Sequence, residues 1–280
     1  MKHGLHLDIP AADYHDDCCA TPSLSASVGK ILIEKSPRHA WLAHPRLGGA
    51  RRWEKNRSME LGSLAHETLL SRGAGIVEID AGDYRTKAAQ AARDEALASG
   101  LTPSLPRDFR RVAAMRAAMM TGLERAGLLE SFVASPKEAV AIAEIDGVLT
   151  RGMLDVWIPE LAMICDYKTC SSLTPNSLGR LIVSSGYDLQ AAVYLELIEE
   201  IFPDLAGRTD FVFFFQETAE PYECIFCRLD ARFREIGVRK AAKAREIWTH
   251  CLARGDWPGY ATEITTIDCP AWAQTYWETE

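Results

Sequence analysis

The stretch from Glu138 to Lys168 constrains the fold more than any other part of the chain. Glu138 to Ile145 alternates in polarity and stops at Asp146-Gly147. An Asp-Gly pair between two such runs is a strong hairpin signal, because both residues tolerate positive φ. Val148 to Ile158 then reads as the returning strand, and Leu161 to Lys168 as a third. A sheet of this kind needs helices against it to bury its apolar side chains.

The flanking sequence supplies them. Ser23 is positioned to cap a helix carrying Leu24, Val28, Ile31 and Leu32 on one face. Pro37 opens a short helical segment through Trp41, and Ser58 caps another with Leu61, Ala65, Leu69 and Leu70 inward. Arg46 to Arg57 between them is a basic, Gly-containing loop. Ile76 to Asp80 reads as a short strand. Helices follow at Asp83–Leu97 and Pro106–Ala126, on either side of the Thr102-Pro103-Ser104-Leu105-Pro106 break. Beyond the three strands come an apolar helix, Asp188–Ile201, a strand pair, Phe211–Phe215 and Tyr222–Leu229, and a long basic helix, Asp230–Ala253. Trp257-Pro258-Gly259-Tyr260 makes a turn. The expectation is an α/β chain with a mixed central sheet flanked by helices. Residues 1–280 form one domain, with 1–22 as a loosely ordered lead.

Two acids carry the chemistry. Asp155 and Asp166 each interrupt an apolar strand, and a hairpin between those strands brings them together. A buried carboxylate is costly unless a cation or hydrogen bonds accompany it. Two hard oxygen donors at one point suit Mg²⁺. Lys168 lies two residues beyond Asp166, so both face the same side of a strand. A lysine there can stabilise charge on a phosphate. The plainer alternative is a surface hairpin with an Asp–Lys pair. Gln190 and Tyr194 share one face of the apolar helix, and His66 sits in Gly62-Ser-Leu-Ala-His66 on an earlier one. Each has an ordinary structural use at the edge of a core.

Taken in order, Tyr14-His15, Ser25, Ser36-Pro37-Arg38-His39, Gly62-Ser63-Leu64-Ala65-His66, Gly152-Met-Leu-Asp155, Asp166-Tyr-Lys168-Thr169, Gln190/Tyr194 and Trp257-Pro258-Gly259-Tyr260 span nearly the whole chain. Together they resemble the PD-(D/E)XK nuclease superfamily, and within it the RecE-like, exonuclease VIII-type proteins of phages and prophages. The resemblance implies a restriction-endonuclease-like core. It implies Asp155, Asp166, His66 and the Tyr167 backbone carbonyl as metal ligands, and Lys168 as the catalytic lysine. Gln190 and Tyr194 would support the site, and Glu138 matches an acidic position. It further implies Mg²⁺, with Mn²⁺ able to substitute, and removal of one strand from double-stranded DNA ends, 5′ to 3′. A single-strand annealing protein as partner and a homo-oligomer, a ring being one form open to it, complete that expectation. The rivals are a repair or restriction endonuclease of the same fold and a non-catalytic DNA-binding or assembly module.

Composition limits the partners. A net charge of -8 argues against a general DNA-coating protein, though not against local contact. Arg51, Arg52, Lys55 and Arg57, just before the helix of His66, are the expected DNA contacts. The basic helix Asp230–Ala253 competes for that role. No apolar run reaches the ~20 residues a membrane helix needs. Met1 to Pro10 has no apolar core of signal-peptide length, so a cytoplasmic protein with reduced thiols is expected. Cys224-Ile-Phe-Cys227 has CxxC spacing but falls in an expected strand, and the other six cysteines form no partner set. No iron–sulfur cluster is expected.

Overall fold

A computed structural model describes residues 2–49, 57–70, 75–261, 263–271 and 273–274, without the side chains of 57–59. In chain order the elements are β1 (Gly4–His6), α1 (Ala11–His15), β2 (Leu24–Ser25), α2 (Ala26–Glu34), α3 (Pro37–Ala43), α4 (Arg57–Leu70), β3 (Ile76–Glu78), α5 (Lys87–Ala98), β4 (Thr102–Ser104) and α6 (Pro106–Arg125). They continue as α7 (Leu129–Ala134), β5 (Lys137–Ile145), β6 (Val148–Ile158), β7 (Met163–Cys170), α8 (Pro175–Ser185), α9 (Tyr187–Ile201), β8 (Asp210–Glu217), β9 (Cys224–Cys227) and α10 (Ala231–Arg254).

The main sheet runs β1-β5-β6-β7-β8-β9, with β2 also on β6. The hairpin β5–β6 pairs Ile145 with Val148. Asp146 and Gly147 take φ of 50° and 75°, the two positive values a two-residue turn of this hand requires. β7 joins β6 antiparallel and β8 joins β7 parallel, so the sheet is mixed. β8 shows how both faces are buried. Phe211, Phe213 and Phe215 pack with Leu189, Val193 and Leu197 of α9, while Val212 and Phe214 pack with Met115 and Met119 of α6 and Leu64 of α4. The result is the helix–sheet–helix sandwich expected from the element order. α10 and α2 pack onto α9 from outside.

Three local expectations are corrected. The helix assigned to Ser23 starts later: Leu24–Ser25 form β2 on β6, and the Ser25 hydroxyl caps α2 by accepting from the Val28 N–H. The Thr102–Pro106 break contains β4, which pairs with β3 in a separate two-stranded sheet. An unread segment forms α8.

The larger correction concerns the lead. Residues 1–22 were expected to be loose, but β1 pairs with β5 and Tyr14 is buried. A buried ionic hub explains why. Asp17 accepts from the Ser23 hydroxyl at 2.6 Å and the Ser23 N–H at 3.0 Å, and meets the Arg151 guanidinium of β6 at 3.1 Å. Arg151 also donates to the Ser23 carbonyl (2.7 Å) and the Tyr14 carbonyl (3.3 Å). His44 accepts the Arg46 N–H on Nδ1, leaving Nε2 to face Asp17 at 3.3 Å. Burial opposes the Asp17 charge, but His44, Ser23 and Arg151 outweigh it and hold the carboxyl well below the usual carboxylate range.

Candidate active site

β6 is shared along one edge. β2 pairs with it at Thr150 and Arg151, while β7 pairs from Val156 to Ile158. The intervening residues, 152–155, have neither strand beside them on that edge. The last β6–β7 pair is Val156 with Cys165. One step further in that register, Asp155 stands opposite Asp166, and there the strands part. The opening lets side chains from both helical layers reach the carboxylates.

Asp155 is 7% exposed and Asp166 is fully buried. The Tyr167 N–H donates to Asp155 Oδ2 at 2.8 Å. From α4, His66 Nε2 meets Asp155 Oδ1 at 3.0 Å. From α9, the Gln190 amide donates to Asp166 Oδ1 at 2.8 Å. Asp166 Oδ2 is sealed from solvent with the Lys168 ammonium beside it, yet has no well-directed hydrogen bond. Glu138 takes φ of 52° on β5, and its carboxylate lies 3.9 Å from His66 Nδ1. Tyr194 is buried with its hydroxyl at Gln190, and its ring covers Gly152. A Cβ at Gly152 would lie 2.8 Å from that ring, so only glycine lets α9 approach β6 this closely.

The electrostatics follow from burial. Desolvation pushes the Asp166 carboxyl up to about 6 despite Lys168, with the Asp155 charge adding to the rise. Asp155 goes the other way: burial opposes its ionisation, but His66, Lys168 and the Tyr167 N–H outweigh that. Burial would also strip Lys168 of its proton, but Asp166 and Asp155 hold it as ammonium. His66 is raised by Asp155 against its own desolvation. Three carboxylates, Glu138, Asp155 and Asp166, here face one ammonium and one imidazole, so the pocket is short of positive charge.

That shortage tests the donor set against a divalent cation. Among the described residues no three His, Cys, Asp or Glu side chains close into a ready cage. The fit rests on two carboxylates at one point, Asp155 nearly and Asp166 fully buried, with the Glu138 carboxylate close by at His66. A hard cation suits both.

All seven expected site residues meet at this opening: His66, Glu138, Asp155, Asp166, Lys168, Gln190 and Tyr194, with Tyr167 between the acids. The expected DNA contacts are another matter. Arg51, Arg52 and Lys55 lie outside the described residues, and Arg57 begins α4. Arg46, from the same basic stretch, donates to the Cys19 and Ala20 carbonyls, a structural use. The competing helix α10 lies behind α9, and its cations are mostly paired: Arg239 with Glu235, Lys240 with Asp188, Lys243 with Glu246, and Arg245 with Asp146 and Glu196. Cys224 and Cys227 pack on opposite sides of the sheet and cannot share one metal.

Sequence reasoning missed Gln216. It is fully buried at the end of β8, accepts from the Tyr167 hydroxyl at 2.7 Å, and donates to the Met115 carbonyl at 2.8 Å and the Tyr222 carbonyl at 3.1 Å. It ties α6 to the residue whose N–H holds Asp155. The signal was one amide closing the run Phe211-Val-Phe-Phe-Phe-Gln216. Tyr167→Phe leaves the Gln216 oxygen buried without its donor. We expect a loss of about 1–3 kcal/mol in urea unfolding, the cost of an unsatisfied buried group. A loss below about 0.5 kcal/mol would mean that this bond does not anchor β7.

Comparison with known proteins agrees with the geometry. No curated protein matches the sequence. A solved Eubacterium rectale protein, described as a candidate exonuclease, superposes with a TM-score of 0.62 at 12% identity, covering 96% of this chain and 98% of its own. A phage-related exonuclease from Haemophilus somnus covers 69% of this chain and 95% of its own at 13% identity, but with a TM-score of 0.33 it bears no weight. A family model described as "PDDEXK-like domain of unknown function (DUF3799)" matches residues 32–270, and this chain belongs to that family.

Proposed function

We propose that this chain is a divalent-metal-dependent exodeoxyribonuclease that removes one strand, 5′ to 3′, from duplex DNA ends. The observation that carries the reading is the fully buried Asp166 carboxylate, opposite Asp155 and in contact with Lys168. Asp155, Asp166, His66 and the Tyr167 carbonyl would hold Mg²⁺, or Mn²⁺ in its place. The bound ion would supply Lewis-acid chemistry to phosphodiester hydrolysis. Lys168 keeps its proton and places a positive charge where a phosphate oxygen gains negative charge. Gln190 fixes the rotamer of Asp166, and Tyr194 backs Gln190. Arg51, Arg52, Lys55 and Arg57 remain the proposed backbone contacts on the α4 side. The description of the Eubacterium rectale neighbour is in keeping with this reading. Action in recombination with a single-strand annealing protein, as a homo-oligomer in the cytoplasm, completes the proposal.

End-labelled linear duplex and covalently closed circles, each with and without Mg²⁺, test it. Loss of label only from the linear substrate, and only with metal, is the expected result. Cleavage of circles would make the protein an endonuclease. Binding without cleavage would make it a non-catalytic module. Lys168→Ala is expected to lower kcat by about 10²–10³, as for other preorganised charge stabilisers. The thermal stabilisation by Mg²⁺ should persist, because lysine is not a ligand. An unchanged kcat at saturating Mg²⁺ would reduce Lys168 to a structural partner of Asp166.

A further inference from the structure

The parallel strands β7 and β8 end side by side: the Thr218 N–H, just past β8, donates to the Cys170 carbonyl at the end of β7. Cys170 is two residues beyond Lys168, about 7 Å along a strand. On this edge the loop after β8 meets α6 around a cavity of about 440 Å³. Arg107, Arg110, Arg111 and Tyr222 line it, with Asp108 and Glu220. Three guanidiniums against two carboxylates leave it cationic in a protein of net charge -8.

The arginines are not equivalent. Arg111 Nε donates to the Thr218 carbonyl at 2.7 Å, and its Nη2 bonds the same oxygen. This pins the β8 loop to α6 and fixes one wall. Arg107 Nε stands 3.5 Å from Asp108, a half-exposed pair of little strength. Arg110 is exposed and forms no ion pair among the described residues. Arg239, Lys240, Lys243 and Arg245 of α10 are each paired with a carboxylate, whereas here guanidinium donors line a cavity. Guanidinium donors match phosphate oxygens in geometry and charge.

We propose that this cavity seats a backbone phosphate of the DNA duplex, held by Arg107 and Arg110 against the wall fixed by Arg111. It is a contact on the β8 side of the active site, separate from the basic segment before α4. The inference rests on the nuclease reading for its ligand.

The test is duplex binding in Ca²⁺ over a range of salt concentrations, for wild type and two charge-matched double variants. Arg107→Ala/Arg110→Ala should bind roughly tenfold more weakly, the loss of one charge-assisted contact. Its salt slope should flatten by about one unit. In Mg²⁺ the loss should fall on KM more than on kcat. Arg232→Ala/Arg234→Ala on α10 removes the same charge from the far side and should leave the slope as in wild type. Equal flattening by both pairs would overturn the proposal in favour of general charge. A wild-type slope in the first pair, confirmed folded by its melting temperature, would overturn the pocket and leave the nuclease reading intact. A wild type that neither binds nor cuts DNA would remove both.

Discussion

Asp166→Asn is expected to abolish cleavage and to flatten the pH dependence of stability in the metal-free protein. The activity effect follows from its place: fully buried, opposite Asp155, against Lys168. The amide keeps the volume and the Gln190 contact but removes the charge that would hold a cation. A loss of at least about 10³ in kcat is expected, at or beyond the range for a single preorganised charged contact. The stability effect is one of pH dependence. Burial raises the folded Asp166 carboxyl from 3.8 to about 6. A raised pKa means that its contribution is full below the unfolded value and is lost as pH rises through about 6. At neutral pH the cost of burying the ionised carboxylate is opposed by its pair with Lys168, which it holds as ammonium. Thermal melts in chelator should show wild type more stable near pH 5 than near pH 7.5 from this source. The asparagine variant should lack that part of the slope. Mg²⁺ should stabilise wild type by mass action and the variant much less. Residual wild-type cleavage in the variant would remove Asp166 from the metal site.

The largest effect on stability is expected at Arg151. Arg151→Leu leaves Asp17 buried without its guanidinium partner and removes one donor from each of the Ser23 and Tyr14 carbonyls. Breaking a buried pair from one side costs about 3–5 kcal/mol. Urea unfolding should report that loss. Asp17→Asn should recover part of it in the double variant, because the uncompensated charge is then absent. Asp17 also gives the acid limb of the stability curve. Its depressed carboxyl contributes above the unfolded pKa and loses that contribution as pH falls toward the folded value. Additive losses in the double variant would show that the two residues act separately.

The central strands were legible because several local signals agreed. Asp146-Gly147 specified the turn, alternation specified β5, and single acids in apolar strands marked the site. α9 was legible as an apolar helical run and α10 as a basic one, though Asp230 proves to be the cap of α10, accepting the Phe233 N–H, and not its first residue. What failed to show was what depends on distant partners. Leu24–Ser25 look like the start of a helix, and only β6, more than 120 residues on, makes them a strand. Asp17 sits in a polar stretch that reads as solvated until Arg151 is placed against it. β4 contains Pro103 and reads as a break, which it would be without β3 beside it. Glu138 was placed on its strand, but the positive φ that turns it toward His66 carries no pattern in sequence.

The lead has a practical consequence for anyone who shortens the gene. The family match begins at residue 32, a tempting place to start an expression clone. Such a clone would discard β1 and β2. It would bare the outer edge of β5 at Val140 to Ile142 and the neighbouring edge of β6 at Thr150 and Arg151. Bare edges of apolar strands are templates for pairing with another chain. The trimmed product should collect in inclusion bodies or as soluble aggregates, while the same cut made at residue 3 should be harmless.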